Sequence, residues 1–413
     1  MNKSFCILPW VHIAVDPNGE IKPCCISSAT IKKADGTPYN LGNDKLNQII
    51  NSEGYKSIRS DMLAGKSIKG CEQCYKQEQH GISHRNIYNE YWSKNEYATS
   101  KLLAGTHIPE TVEYFDLRLG NLCNLKCKSC YPGNSNQLEK EVIDIRESNP
   151  AINDYFSMKQ YTDMNDWYNT DVFMENISSQ KDNVSDLYIT GGEPTIIDKN
   201  YEILNYFIEQ DKSKNIRLKL NSNMTNMQDS FLNIISQYKQ VLFFASIDGY
   251  GSMQEYLRYP SNWKQVNKNL CKLVENTKNN IFIKITPVIQ TTNLGRITEL
   301  FEYVEEFNRA HNKTTIEIHP IILYNPLMLD FSYLPMDYKK TCWDRIEQWL
   351  EKSCNFQPIS FYNKMDTIKN KCLLEVDGKE QMHRFIEFNN MFDSRRGVSL
   401  KDVNPELYEI VYK

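Results

Sequence analysis

No run of like charge, no apolar stretch of about 20 residues, no tandem repeat and no low-complexity tract occurs in this 413-residue chain. Each absence removes a class of function. Without a long apolar run, a membrane span is not expected. Lys plus Arg number 48 and Asp plus Glu 52, a formal net charge of -4, so a phosphate-tracking surface for nucleic acid is not indicated. The opening "MNKSFCILPWVHIAVDPNGE" has apolar character, but Pro9 and His12 interrupt it and no small-residue cleavage site follows. It does not read as an export signal, and a cytoplasmic location is expected. Apolar residues at 40% and charged residues at 24% are ordinary for a globular chain, and the length allows two or three domains.

Cysteine, by contrast, is abundant. Twelve cysteines in a reducing compartment argue for metal or catalytic use over disulfides. Cys25, Cys271, Cys342, Cys354 and Cys372 show no ligand spacing and are expected to be buried, inert thiols. The other seven form two groups. Cys123, Cys127 and Cys130 make a CxxxCxxC in "LRLGNLCNLKCKSCYPGNSN", while Cys6, Cys24, Cys71 and Cys74 lie nearer the N-terminus.

From about residue 112 to 335 strand and helix patterns alternate. Strand-like runs are VEYFDLRL (112–119), DLYIT (186–190), IRLKLNSN (216–223), VLFFASIDG (241–249), IFIKITPVIQ (281–290) and TIEIHPIIL (315–323). Helix-period stretches at 201–209, 231–238, 263–276 and 296–308 lie between them. Such alternation predicts an α/β fold of parallel βαβ units, either an open partial barrel or a doubly wound sheet. In both, ligand chemistry belongs at the C-terminal ends of the strands. The motifs obey that rule: the three cysteines follow the first strand, GGEP (191–194) the second, NSN (221–223) the third, SIDG (246–249) the fourth and QTTN (290–293) the fifth.

Three thiolates suit a [4Fe–4S] cube, which normally takes four, if one iron stays open for a substrate or cofactor. A zinc site would need a fourth ligand or a water. The upstream histidines His107 and His80 are distant in sequence.

CNLKCKSC, GGEP and SIDG with a downstream arginine together resemble the radical S-adenosylmethionine (SAM) superfamily, over about residues 112–335. The resemblance implies a partial (β/α)6 TIM-like barrel. It implies a [4Fe–4S] cluster on Cys123, Cys127 and Cys130 whose open iron binds SAM, and reductive cleavage of SAM to a 5'-deoxyadenosyl radical that abstracts a substrate hydrogen. One departure stands out: Ser129 precedes the third cysteine where an aromatic residue is usual, and Tyr131 follows it. Gly191 and Gly192 allow backbone carbonyls to approach an ammonium group, and Glu193 adds an acceptor. Ser246 is expected to donate to a carboxylate or ribose, and Arg258 to grip a carboxylate bidentately. Asn221, Asn223 and Gln290 are candidates for ribose or adenine.

The N-terminal cysteines raise a second site. Cys6, twelve residues, Gly19, four residues and Cys24 read as a hairpin around DPNGE, and Cys71 with Cys74 form a CxxC. A zinc ribbon has the same geometry. The spacing also resembles the SPASM and twitch modules, which hold auxiliary [4Fe–4S] clusters and usually follow the barrel rather than precede it. One auxiliary cluster is expected, with Cys25 as a substitute for Cys24. Its expected job is to take an electron from the substrate or to shape the pocket. His12, His319 and Tyr324 are the available acid–base groups, though no spacing singles them out, and no catalytic residue is assigned.

The expected organisation is an auxiliary-cluster domain (1–100), a partial barrel (101–335) and a mostly helical C-terminal cap (336–413). The cap's Arg395 and Arg396 are candidate anion anchors. The expected function is radical modification of a peptide or protein, fed by an electron donor such as flavodoxin or ferredoxin. No peptide-docking segment precedes Cys6, so recognition would come from elsewhere. The alternatives are oxidation of a small polyol or sugar-like metabolite and, in another class, a non-catalytic iron–sulfur or zinc protein.

Overall fold

The computed structural model describes residues 4–78, 83–93, 111–156, 164, 166–276, 279–311, 315–353 and 357–412. His80, His107 and Cys354 lie outside these. The chain forms two compact units, each built from several stretches. The first comprises Met1–Leu122, Tyr161–Leu220 and Gln237–Val241, and the second Cys123–Gln160, Asn221–Ser236 and Leu242–Lys413.

In the first unit a short helix, Leu8–Val11, leads into β1 (His12–Val15), which turns back into β2 (Ile21–Lys22) as an antiparallel pair. The turn closes with Gly19 N–H on the Asp16 carbonyl at 2.8 Å, and Gly19 takes φ +83°, a conformation glycine adopts without strain. This is the hairpin the DPNGE stretch predicts. β1 then runs parallel to β3 (Tyr114–Arg118), β3 to β4 (Asp186–Thr190) and β4 to β5 (Arg217–Ser222), whose last two residues belong to the second unit. Strand alternation puts Phe115, Leu117, Leu187, Ile189, Leu218 and Leu220 on one buried face. The other face carries Tyr114, Asp116, Tyr188 and Lys219.

The second unit contains most of β6 (Gln240–Ala245) and β7 (Ile281–Ile285), with β7 parallel to β9 (Glu317–Ile318). β8 (Val288–Ile289) and β10 (Ile321–Ile322) form a separate parallel pair. The predicted strands 281–290 and 315–323 are therefore each cut in two. Pro287 and Pro320 stand at the cuts, where a residue without an N–H cannot continue the ladder. The helices Asp198–Glu209, Asp229–Ile235, Trp263–Glu275 and Ile297–Ala310 fall where their periodicity predicts them. After residue 335 the described residues are mainly helical, with long helices at Met336–Lys352, Ile359–Cys372 and Lys379–Arg396. The chain is thus mixed α/β with parallel strands. No described helix is long and apolar enough to cross a membrane.

Candidate metal centres and cofactor site

The CxxxCxxC loop lies in the second unit, where side chains of the next helix tie it down. Ser135 caps that helix, Asn136–Ser148, by accepting from Leu138 N–H at 3.1 Å, while its hydroxyl donates to the Leu125 carbonyl at 2.6 Å. Asn136 accepts from Cys123 N–H at 3.0 Å, and Cys130 N–H turns back onto the Cys127 carbonyl at 3.1 Å. Cys123 and Cys127 are buried around Leu125, and Cys130 packs against them. Burial pushes the Cys130 thiol up to about 12, with Cys127 adding to the shift, and raises Cys127 as well. Such sulfurs release their protons when a metal takes its place.

Two donors face these sulfurs. Asn223 Nδ2 is 4.0 Å from Cys123 Sγ, and Arg258 Nη1 is 4.0 Å from Cys127 Sγ. Donors of this kind tune an iron–sulfur cluster. Arg258 is held by Asp248, with Nε to Oδ2 at 2.7 Å and Nη2 to Oδ1 at 3.2 Å. Asp248, fully buried, also accepts from Val288 N–H at 2.9 Å. The guanidinium expected to grip a ligand carboxylate thus already grips one of the chain's own, and its remaining nitrogen is turned to a thiol. Sequence reasoning passed over Asp248, although it is the acidic residue inside the quoted SIDG.

Of the other second-unit candidates, Asn223 uses its amide on Asn124 (2.9 Å) and accepts from Thr225. Ser246 N–H continues the strand pattern onto the Ser222 carbonyl at 2.8 Å, and Asn221 is half-buried just before it. Gln290 is the informative one. It is 1% exposed, and among the described residues neither its amide oxygen nor its amide nitrogen has a partner. A buried carboxamide in that state is costly unless a polar ligand meets it, which fits an adenine or ribose edge.

Gly191, Gly192 and Glu193 lie in the first unit, immediately after β4. Gly191 takes φ +117°, and a Cβ on Gly192 would lie 2.0 Å from the Leu122 carbonyl oxygen. The pair is glycine because the 119–122 segment presses on it; Glu193 N–H donates to that same carbonyl at 2.8 Å. The Glu193 carboxylate is 1% exposed and accepts from Thr195 N–H (3.1 Å) and Oγ1 (2.7 Å).

Cys6, Cys24, Cys71 and Cys74 line one cavity of the first unit, together with Met62, Gly70 and Arg85. Gly70 takes φ +94°, and a Cβ there would press on Ala29 at 2.6 Å, so the CxxC can follow only a glycine. Cys74 N–H closes a turn onto the Cys71 carbonyl at 3.1 Å. Burial raises all four thiols, Cys24 to about 11 and Cys71 to about 12, and Cys6 is raised further by the other three. The four sulfurs therefore share one cavity. Among the described residues no three Cys, His, Asp or Glu side chains converge on a single ion position. Sulfurs spaced around a cavity suit a cluster better than one ion. Cys25 instead contacts His84 Nε2 at 3.4 Å. Cys342 and Cys372 are buried and Cys271 half-buried. His12 is buried 3.9 Å from Asp116, His319 is half-buried and Tyr324 is exposed.

Residues 117–316 match the family model of the radical SAM superfamily, and residues 6–75 match an iron–sulfur cluster-binding domain, SPASM. No curated protein matches the chain. Among solved structures it is similar to native anSMEcpe with bound AdoMet, at 18% identity and a TM-score of 0.38, over 56% of this chain and 58% of that one. It is also similar to Streptococcus suis SuiB, at 15% identity and a TM-score of 0.38, over 90% of this chain and 76% of that one. Against SuiB bound to precursor peptide SuiA the identity is 14% and the TM-score 0.36, over 84% and 72%. The chain spans 58% of the length of anSMEcpe. The matches set a SPASM domain ahead of a radical SAM domain, domain types whose cofactors are [4Fe–4S] clusters and SAM.

Proposed function

Proceeding from a radical SAM domain joined to a SPASM domain, we propose that this enzyme oxidatively modifies a peptide or protein side chain. With clusters and SAM bound, the chemistry supplied is reductive cleavage to a 5'-deoxyadenosyl radical, hydrogen abstraction from the substrate, and an auxiliary acceptor for the substrate's electron. Cys123, Cys127 and Cys130 hold the SAM cluster, leaving one iron open. Arg258 turns a fixed positive charge toward Cys127, and Asp248 keeps it there. Gln290 takes a polar edge of the nucleoside. Asn221, Asn223 and Ser246 add SAM contacts in the second unit, and Gly191, Gly192 and Glu193 are the candidates that the first unit offers. Cys6, Cys24, Cys71 and Cys74 would hold one auxiliary cluster, which would serve electron transfer. The strands form a partial (β/α)6 barrel over 101–335, with the cluster domain before it and a helical cap after it. The peptide class rests on likeness of domain type to peptide-modifying relatives, an analogy and no more.

The observation that carries the reading is the buried three-thiol loop with donors aimed at two of its sulfurs. Anaerobic reconstitution tests it, with iron and reductant-dependent 5'-deoxyadenosine as readouts. About eight irons per chain are expected, falling to about four, with no deoxyadenosine, when Cys123, Cys127 and Cys130 are all alanine. A fully loaded protein that forms no deoxyadenosine in the presence of reductant would count against it.

A further inference from the structure

Between the ligand cysteines, Lys128 points into protein rather than water. It is 1% exposed, its ammonium ion-paired with Asp393 and hydrogen-bonded to Asn389 Oδ1 at 2.9 Å, both on the helix Lys379–Arg396. It also lies 3.8 Å from the centre of the Tyr256 ring. Tyr256 in turn donates its hydroxyl to Asp393 at 2.9 Å, and Leu400 N–H donates to the same carboxylate at 3.0 Å. One turn further along, Arg396 donates to the Lys126 carbonyl at 2.6 Å and pairs with the buried Glu141. The sequence offers Arg396 as an anion anchor; the structure spends it inside the unit, and Arg395 pairs with Asp144 at 2.5 Å.

The other side of the loop is held by backbone. Lys126 N–H donates to the Tyr259 carbonyl at 2.7 Å and Lys128 N–H to the Leu257 carbonyl at 3.2 Å. Arg258, between those two carbonyls, is the residue whose guanidinium meets Cys127. The helix, the loop and the Arg258 segment therefore interlock, and a shift of any one moves the others.

We infer that the C-terminal helix Lys379–Arg396 is a clamp on the SAM-cluster loop, with Lys128, Asp393 and Arg396 as positioning residues that set where Cys127 and Arg258 stand. The inference rests on the radical SAM reading and assigns these residues no contact with substrate. A buried ion pair is a poor stabiliser compared with apolar residues of the same size, so its presence here calls for a role beyond holding the fold. That role is register: a charged pair with four partners permits one placement of the loop, where apolar packing permits several.

The test uses anaerobic, cluster-loaded full-length protein and compares Lys128→Met, Asp393→Leu and the double variant. Each single variant strands a buried charge and is expected to lower the melting temperature and the iron held by the loop. The double variant removes both charges and is expected to recover the melting temperature. It is nevertheless expected to show an altered EPR line shape of the reduced cluster on adding SAM and a KM for SAM raised about tenfold, with kcat for deoxyadenosine changed less. A double variant with the wild-type line shape and KM would overturn the clamp and leave a merely structural pair. Should the double variant fail to fold, Lys128→Met combined with Asp393→Asn, which keeps the shape at 393 and removes both charges, is read the same way. Failure of the wild-type protein itself to cleave SAM would sink the function, and the clamp would then be judged from loop iron and the EPR line shape without SAM, equality with wild type overturning it.

Discussion

The two cysteine sites solve the same problem by opposite means. In the first unit four thiols come from three separated segments, around Cys6, around Cys24 and at Cys71–Cys74, and meet in one cavity. In the second, three thiols lie within eight residues, and polar groups surround them: Arg258 near Cys127 and Asn223 near Cys123. In the first, four thiolates would leave no iron of a cluster open, which would suit an electron store. The second keeps fixed donors at its edge, as a centre needs when it must bind a charged cofactor and be reduced on demand. Each cysteine group has an arginine beside it, Arg85 in the first unit and Arg258 in the second, so the contrast lies in the number of thiols, four against three.

The comparison breaks most readily at the cysteines. Cys127→Ala should abolish deoxyadenosine formation, whereas Cys24→Ala should leave substrate-independent SAM cleavage measurable while removing the first unit's iron. If Cys24→Ala stopped cleavage as completely, with the second unit's iron intact, the division of labour would be wrong. Because metal binding is also folding free energy, Cys24→Ala should in addition lower the melting temperature substantially.

Gly192→Ala comes next in size. The new methyl group would lie 2.0 Å from a backbone carbonyl, which no side-chain rotation relieves. Overpacking of this kind costs ~1–3 kcal/mol or more, read from denaturant unfolding. The motif reading gives this glycine to the cofactor. A variant as stable as wild type but weak in SAM binding would favour that role; a destabilised one with normal SAM affinity would assign it to packing against the 119–122 segment.

How much of this the sequence could tell depends on distance along the chain. The CxxxCxxC loop is legible because its ligands and its helix cap are neighbours. The cavity is legible only through resemblance, since nothing local says that Cys6 and Cys71 meet. The clamp is illegible: Lys128 and Asp393 are 265 residues apart, and each alone is an ordinary surface-type residue. Arg258 was found and its tether Asp248 was not, because an aspartate after a strand reads first as a turn. The strand breaks at Pro287 and Pro320 are legible in the sequence, because a residue without an N–H cannot continue a ladder.

Gln290→Leu has two opposite expected effects. Without SAM it should raise stability by ~1 kcal/mol, because a buried carboxamide without partners among the described residues is replaced by an apolar group of similar volume. With SAM it should lose part of the ligand-induced rise in melting temperature seen in wild type. A variant destabilised without SAM would mean that the amide is already satisfied in the protein.

The smallest effect is a pH dependence in the second unit. Burial, with Lys284 and Lys364 nearby, pushes His319 from 6.5 down to about 4. Its folded pKa therefore lies below its unfolded one, and between those values the unfolded chain binds more protons. The stability that a neutral His319 contributes is complete above about pH 6.5 and is lost as pH falls toward 4. His319→Gln, which cannot take up a proton, should show a shallower loss. Urea unfolding of wild type and variant at pH 7.5 and 5.5 measures the difference, which should narrow or reverse at the lower pH as wild type pays for protonation. Parallel losses would mean that the imidazole titrates alike in both states, and that its half-buried position does not hold it neutral.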